Sequence, residues 1–410
     1  MDSDGLSRRT VLRYLGVTAG GLAAGCSGGG SATPTAARAT ETIRPDGVND
    51  DDRFGKALAA DGSRVAVGAP IEEGPDGEAL AVGTTRLFER GEETWTATAT
   101  RSPIPSGEGA WFGESVALDG DTLLVGTPYA GSSHTGDGLV AVGGEGEWRQ
   151  VNALATEGRV SFGQAVALSD GLGVVGAPQD GGPSGGLFQG SATVVEPVDG
   201  WSQVSSTVVQ PSDGNAFESF GAAVAIQGET VFVGAPDSEP GAVALFERDG
   251  DGWAQRDALS PDIDESVDAA FGDAIATAGG RVFVGAPEDG PGSVTVFERD
   301  GDGWRRQTTL TPSTDDPQDF GAAVAADEET VLVGAPDGTN RDGIRTGLAH
   351  VFEREDGAWE HAGRYRPAVD DDRSRFGSAV ALTDGTAFVG APKANTGRGP
   401  NAGSVAVLHV

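Results

Sequence analysis

The stretch Glu229–Asp237 reads ETVFVGAPD, and the chain spells it again with small changes, as RVFVGAPED from Arg281 and ETVLVGAPD from Glu329. Its middle is a short run of β-branched and aromatic residues, apolar on both faces, ending on a Pro. Such a run reads as a strand sandwiched on both sides, and the Pro stops it because it has no N–H for the ladder. Working outward, the Gly of this phrase follows a Phe-Gly pair by a fixed distance. The pair begins at Phe54, Phe112, Phe162, Phe220, Phe271, Phe320 and Phe376. The Gly-Ala-Pro, or Gly-Thr-Pro in the second copy, begins at Gly68, Gly126, Gly176, Gly234, Gly285, Gly334 and Gly390, so each copy spans 14 positions. The distance from one Phe to the next varies instead, from 49 (Phe271 to Phe320) to 58 (Phe54 to Phe112). A rigid hairpin recurs and the loops beyond it differ, as in a scaffold that carries adaptable loops.

Each repeat reads as four strands. In the fifth, FGDAIATA from Phe271 leads through Gly279-Gly280 to RVFVGAP, a Gly/Asp loop leads to GSVTVFER, and the turn DGDG at Asp300 leads to a strand that opens at Trp304. Gly/Asp turns between short apolar runs are hairpin signals. Trp95, Trp148, Trp201, Trp253, Trp304 and Trp359 stand at the start of the fourth strand of their repeats and are expected to pack between sheets. Seven four-stranded antiparallel sheets of this length predict an all-β, seven-bladed β-propeller, with the small residues of each first strand at the crowded axis. The last repeat stops after its third strand, Gly403 to Val410, and an orphan piece precedes the first Phe-Gly. Residues near Ala37 to Arg44 are therefore expected to complete the last blade, closing the ring without an open edge.

The 410 residues include 66 Gly with no Gly-X-Y period, which excludes collagen. A formal net charge of −34 argues against nucleic acid, whose phosphates need a basic surface. Lys occurs only at Lys56 and Lys393, and this acidic, Lys-poor composition resembles that of proteins from salt-loving archaea. At about 1 M salt the Debye length is only ~3 Å, so such a surface repels itself little. The single cysteine, Cys26, rules out a disulfide within the chain.

The chain is expected to divide into a leader over 1–26, a flexible tether over 27–36 and the propeller over 37–410. Ser7-Arg8-Arg9-Thr10-Val11-Leu12 resembles a twin-arginine export signal, in which Arg8 and Arg9 are the signature. The apolar run after it is too short and Gly-rich to span a bilayer. It ends Leu22-Ala23-Ala24-Gly25-Cys26, which resembles a lipoprotein lipobox, although Ala23 stands where that pattern has an aliphatic residue. Cys26 would then be lipidated, and Gly/Ser-rich residues 27–36 would tether the domain. The expected location is the outer face of the cell membrane, held by the lipid alone; the alternative is free secretion.

Phe-Gly and Gly-Ala-Pro in seven copies resemble the FG-GAP repeat, the blade unit of the integrin α-subunit propeller and of many microbial surface proteins. The resemblance covers residues 37–410 and implies a fold more than a function. Many integrin-type repeats carry a calcium loop between the first two strands. Here that connection is as short as LDGDT at Leu118 or TDGT at Thr383, too short for a cage of oxygen ligands, so no metal ligand is carried over and no cofactor is expected.

Because Phe-Gly starts the first strand and Gly-Ala-Pro ends the second, both lie on one rim with the loops between blades. Asp51 and Asp371 belong to its acidic loops. Tyr129, His134, Asn340, Arg341 and Arg345 stand in or beside longer, dissimilar loops that would suit a polar partner. None of the four His (His134, His350, His361, His409) pairs at metal-binding spacing. Gly182-Pro183-Ser184-Gly185-Gly186 fits Gly-x-Ser-x-Gly, but between strands it lacks the helix that a nucleophile elbow needs. The expected function is a non-catalytic, monomeric surface binding or adhesion module for an extracellular protein or glycan. The alternatives are a propeller enzyme using Asp/Glu on extracellular polysaccharide and a structural envelope component.

Overall fold

The computed structural model describes residues 37–410 except 40, 45–46, 48, 74–80, 93, 103–108, 131–136, 145–146, 156–159, 182–188, 212–217, 262–268, 302, 313–317, 341 and 398. The leader with Arg8, Arg9 and Cys26, the tether, His134, Arg341 and the 182–186 loop lie outside the described residues.

Among the described residues the strands form seven sheets. We number the blades by their Phe-Gly pair, blade 1 at Phe54 and blade 7 at Phe376. The sheets of blades 1 to 5 are meanders of four consecutive strands, that of blade 7 has four strands of which one comes from the N-terminal segment, and that of blade 6 has five. The first strand of every blade is innermost and short: Ala57–Asp61, Ser115–Asp119, Ala165–Ser169, Val224–Gln227, Ala274–Ala278, Ala323–Ala326 and Ala379–Thr383. Each lies beside the next, and the last returns to the first, so the ring is closed around an axis. Alanine dominates these strands because neighbours from different blades crowd there.

The core is divided among the joints between blades. Seven apolar clusters each combine residues of two adjacent blades, the cluster between blades 7 and 1 included. The Phe of each Phe-Gly pair is at most 1% exposed and sits in the joint with the preceding blade. The six Trp pack into the same joints: Trp95 meets Phe388 edge-to-face at 4.9 Å, Trp304 meets Phe232 at 5.4 Å and Trp359 meets Phe283 at 5.5 Å. Trp201 differs from expectation in one respect: it occupies a turn before its strand, Val204–Val209, at φ 68°.

Glycine explains the fixed spacing. The amide of the Phe-Gly glycine donates to the carbonyl of the Gly-Ala-Pro glycine in its own blade, as Gly272 does to Gly285 at 2.9 Å. Its own carbonyl then presses on the Gly-Ala-Pro glycine of the preceding blade. A Cβ built on Gly285 would lie 2.0 Å from the oxygen of Gly321, and the same contact recurs at all seven joints, Gly390 against Gly55 being the one that closes the ring. The motif is a backbone-to-backbone joint that tolerates no side chain.

The clasp departs from expectation in part. Glu41–Ile43 pairs antiparallel with Ser404–His409 and completes blade 7. Ala37–Arg38 does not join that sheet; it adds a parallel fifth strand to Ala358–Arg366 of blade 6. The N-terminal segment thus bridges two blades, with Ala39 buried in the joint between them and Ile43 in the joint between blades 7 and 1.

Candidate functional site

The Phe-Gly pair sits in a tight turn. The carbonyl of the residue before Phe accepts from the amide of the residue after Gly, as Arg53 does from Lys56 at 3.1 Å and Ala270 from Asp273 at 3.1 Å. This turn holds the residue before Phe in the left-handed region in all seven blades, with φ from 51° at Ala270 to 59° at Ser161. Side chains are costly there, so the repeat imposes the conformation and the residue type is left to vary. The residue after Gly-Ala-Pro comes to the same place, because its amide reaches back toward that turn: Lys393 to Ser374 at 3.1 Å, Asp337 to Gln318 at 3.3 Å, Glu288 to Ala269 at 3.3 Å. Each blade therefore presents two variable side chains next to each other on one rim.

Their chemistry changes around the ring. Blade 2 pairs Trp111 with Tyr129, edge-to-face at 4.8 Å. In blade 3 the Ser161 hydroxyl donates to Gln179 at 2.9 Å. Blades 4 to 6 are acidic: Ser219 donates to Asp237, Ala270 stands beside Glu288, and Asp319 is hydrogen-bonded to Asp337. Blade 7 carries Arg375 and Lys393, and blade 1 Arg53 and Ile71. The residue after Gly forms an inner ring, in which Lys56 Nζ contacts Glu114 at 2.8 Å.

The acidic arc shifts its own protonation. Asp273 is pushed up to about 6, first by the loss of hydration among its neighbours, with repulsion from Asp237 and Glu288 adding and Lys56 opposing. Solvent still reaches this side chain. Burial, and then the charge of Asp337 and its hydrogen bond, raise Asp319, against the pull of Arg375. Among the described residues no three His, Cys, Asp or Glu side chains are grouped to hold a metal ion.

The residues expected on the rim play several parts. Tyr129 lies on it beside Trp111. Arg345 is exposed, 3.8 Å from Asp337. Asn340 is 9% exposed and turns inward, its Oδ1 accepting the amides of Asp342 and Ile344 at 2.9 and 3.0 Å. Asp51 and Asp371 hold loops: Asp51 accepts from Asn401 Nδ2 at 2.8 Å and Asp371 from Asn395 Nδ2 at 2.8 Å. A cleft of ≈ 560 Å³ runs along Asn49–Asp52, Ile71, Glu73 and Ala81. Beneath it Glu72 is ion-paired with Arg86 at 2.5 Å and burial raises its carboxyl, a structural pair. Sequence reasoning missed Trp111, whose signal was its place directly before a Phe-Gly pair. It also missed that His350 and His361, on paired strands of blade 6, meet with Nδ1 and Nε2 3.2 Å apart.

Comparison with known families agrees with this geometry. Residues 95–141, 201–246 and 304–352 match the FG-GAP repeat. Each match begins at a Trp of one blade and ends in the third strand of the next. No curated protein matches the chain. The chain is a β-propeller, and three of its segments are similar to the FG-GAP repeat.

Proposed function

We propose that this propeller is a non-catalytic binding or adhesion module of the cell surface, exported through Arg8 and Arg9, anchored by a lipid on Cys26, and engaging an extracellular protein or glycan with the Phe-Gly rim. One observation carries the reading. The Phe and Gly that build the rim repeat in every blade, whereas the two side chains they present range from aromatic to acidic to basic. A rigid frame with unlike side chains at equivalent places is what recognition requires. A hydrolase would draw on the acidic arc, but Asp319 and Asp337 are in direct contact, closer than the roughly 5–9.5 Å that separates the two carboxyls of glycosidases.

The test is retention of a partner from cell-envelope extract on the purified chain at high salt, beside a variant with Tyr129→Ala, Arg345→Ala and Lys393→Ala. A partner held by the parent and lost from the variant supports the rim. Equal retention by both moves the site elsewhere, and no partner at all favours a structural envelope role. Replacing Cys26 with Ser is expected to release the protein into the medium; retention on the membrane rejects the lipid anchor.

A further inference from the structure

We propose that the axial side of blades 7, 1 and 2 binds an acidic sugar chain, its carboxylates or sulfates on Arg375, Lys393 and Arg53 and one sugar ring on Trp111 and Tyr129. This rests on the binding-module reading and names its ligand class.

The first observation is where the lysines are. The chain has two among 410 residues, Lys56 and Lys393, and both stand on this rim, in adjoining blades. Every other cation of the protein is Arg or His. Arg375 and Lys393 share a place in blade 7, as the Lys393 amide bonds the Ser374 carbonyl. Arg53 of blade 1 bonds through its amide to the carbonyl of Asn401, in the loop that Lys393 opens. The backbones that carry these cations are thus joined across blades 7 and 1. The cations form a positive arc on a protein of net charge −34. Acidic neighbours stand beside them and keep their charge while holding loop amides, Asp51 on Asn401, Asp371 on Asn395 and Asp52 on Asn49, so an anion is held here through direct contact pairs and not through the net field.

Blade 2 adds the second observation. The other six Trp are consumed in the joints between blades, whereas Trp111 stands on the rim against Tyr129. Such an aromatic pair offers an apolar face and a polar tip, which suits the C–H face and hydroxyls of a sugar. Between the arc and the pair lies Glu114. One of its oxygens holds Lys56, and the other, Oε2, is buried without a hydrogen-bond partner among the described residues, on a side chain 7% exposed. A buried acceptor of this kind calls for a donor, which a sugar hydroxyl supplies.

The acidic arc of blades 4 to 6 sets the direction. Asp237, Glu288, Asp319 and Asp337 repel an acidic chain, and because Asp319 is close enough to Arg375 to feel its charge, the boundary falls between blades 6 and 7. At low salt the whole protein would oppose any polyanion. At about 1 M salt that field is screened beyond ~3 Å and contact pairs remain. A short acidic oligomer at high salt is the suitable probe.

The experiment measures binding of the full chain at about 1 M salt to hexagalacturonate, to its carboxyl-reduced neutral counterpart and to a sulfated hexamer. An acidic hexamer is expected to bind about tenfold or more tightly than the neutral one, and the tighter of the two acidic probes identifies carboxylate or sulfate as the group read. Arg375→Glu with Lys393→Glu is expected to lose about tenfold or more, and Trp111→Gly a similar factor without a lower unfolding midpoint, since Gly suits the left-handed φ there. Arg305→Glu, on an outer strand of blade 5, is expected to leave binding unchanged. Equal affinity for the neutral hexamer, parent-like binding by the double charge reversal, or no binding of any hexamer overturns the proposal. If an envelope partner is still held through the rim in those cases, the binding-module reading survives and the sugar inference alone falls.

Discussion

An alanine at position 285 would put its Cβ 2.0 Å from the Gly321 carbonyl oxygen, which belongs to the neighbouring blade's backbone and cannot turn aside. Gly285→Ala is therefore expected to cost more than about 3 kcal/mol, by the mechanism of forced overpacking, read as a lower midpoint in chemical unfolding. Ala270 poses the reverse case. It sits at φ 51° in the Phe-Gly turn, where a Cβ is a liability, so Ala270→Gly is expected to leave stability unchanged or raise it by up to about 1 kcal/mol. Each substitution changes one methyl, yet only Gly285→Ala is expected to lower the unfolding midpoint. Of this, the sequence displayed the glycines through their unvarying spacing. The residue before Phe carried no such mark, because its backbone is fixed by the turn and its side chain is free to vary. That is why Trp111 and Arg375 were hard to single out before the structure.

Among the elements, blade 6 is the one with a hidden weakness. Its third and fourth strands, Leu348–Glu355 and Ala358–Arg366, bring His350 and His361 together, with Phe320 and Phe352 against their rings and Arg364 close by. Burial lowers His350 well below its ordinary value, and burial with the Arg364 charge lowers His361. The unfolded chain takes up protons near pH 6.5 that the folded blade refuses, so stability is present above that pH and falls as pH drops below it. The slope is at most ~1.4 kcal/mol per pH unit for each group. Unfolding midpoints between pH 7 and 5 test this: replacing both His with Gln is expected to flatten the curve, and an unchanged slope rejects the assignment. Strand order and turns were legible in the sequence because hairpins are local. The His pair was not, because it depends on the register between two strands, shifted by an irregularity at Val351/Phe352, and no spacing rule reads a register.

At the scale of the whole ring, closure rests on a segment of a few residues. Glu41–Ile43 contributes three paired positions to blade 7, and Ala37–Arg38 two to blade 6. Deleting residues 37–45 is expected to lower the thermal midpoint of the entire domain in one transition, since it strips the outer edge from blade 7 and removes Ile43 and Ala39 from two joints. An unchanged midpoint refutes the closure. The missing strand was visible as a subtraction, a last repeat too short by one strand, but its division between two blades depends on packing that no count reveals. The glycine contact between Gly390 and Gly55 has a wider meaning. It is the same contact as at the other six joints, and the chain crosses it too, running from Glu41–Ile43 of blade 7 to Phe54 of blade 1; the only break in the ring is the strand pairing of Glu41–Ile43 with Ser404–His409 inside blade 7. A gene reopened between the third and fourth strands of another blade, with the present ends of the propeller joined, would encode the same ring with its break moved to that blade and every glycine contact between blades unchanged.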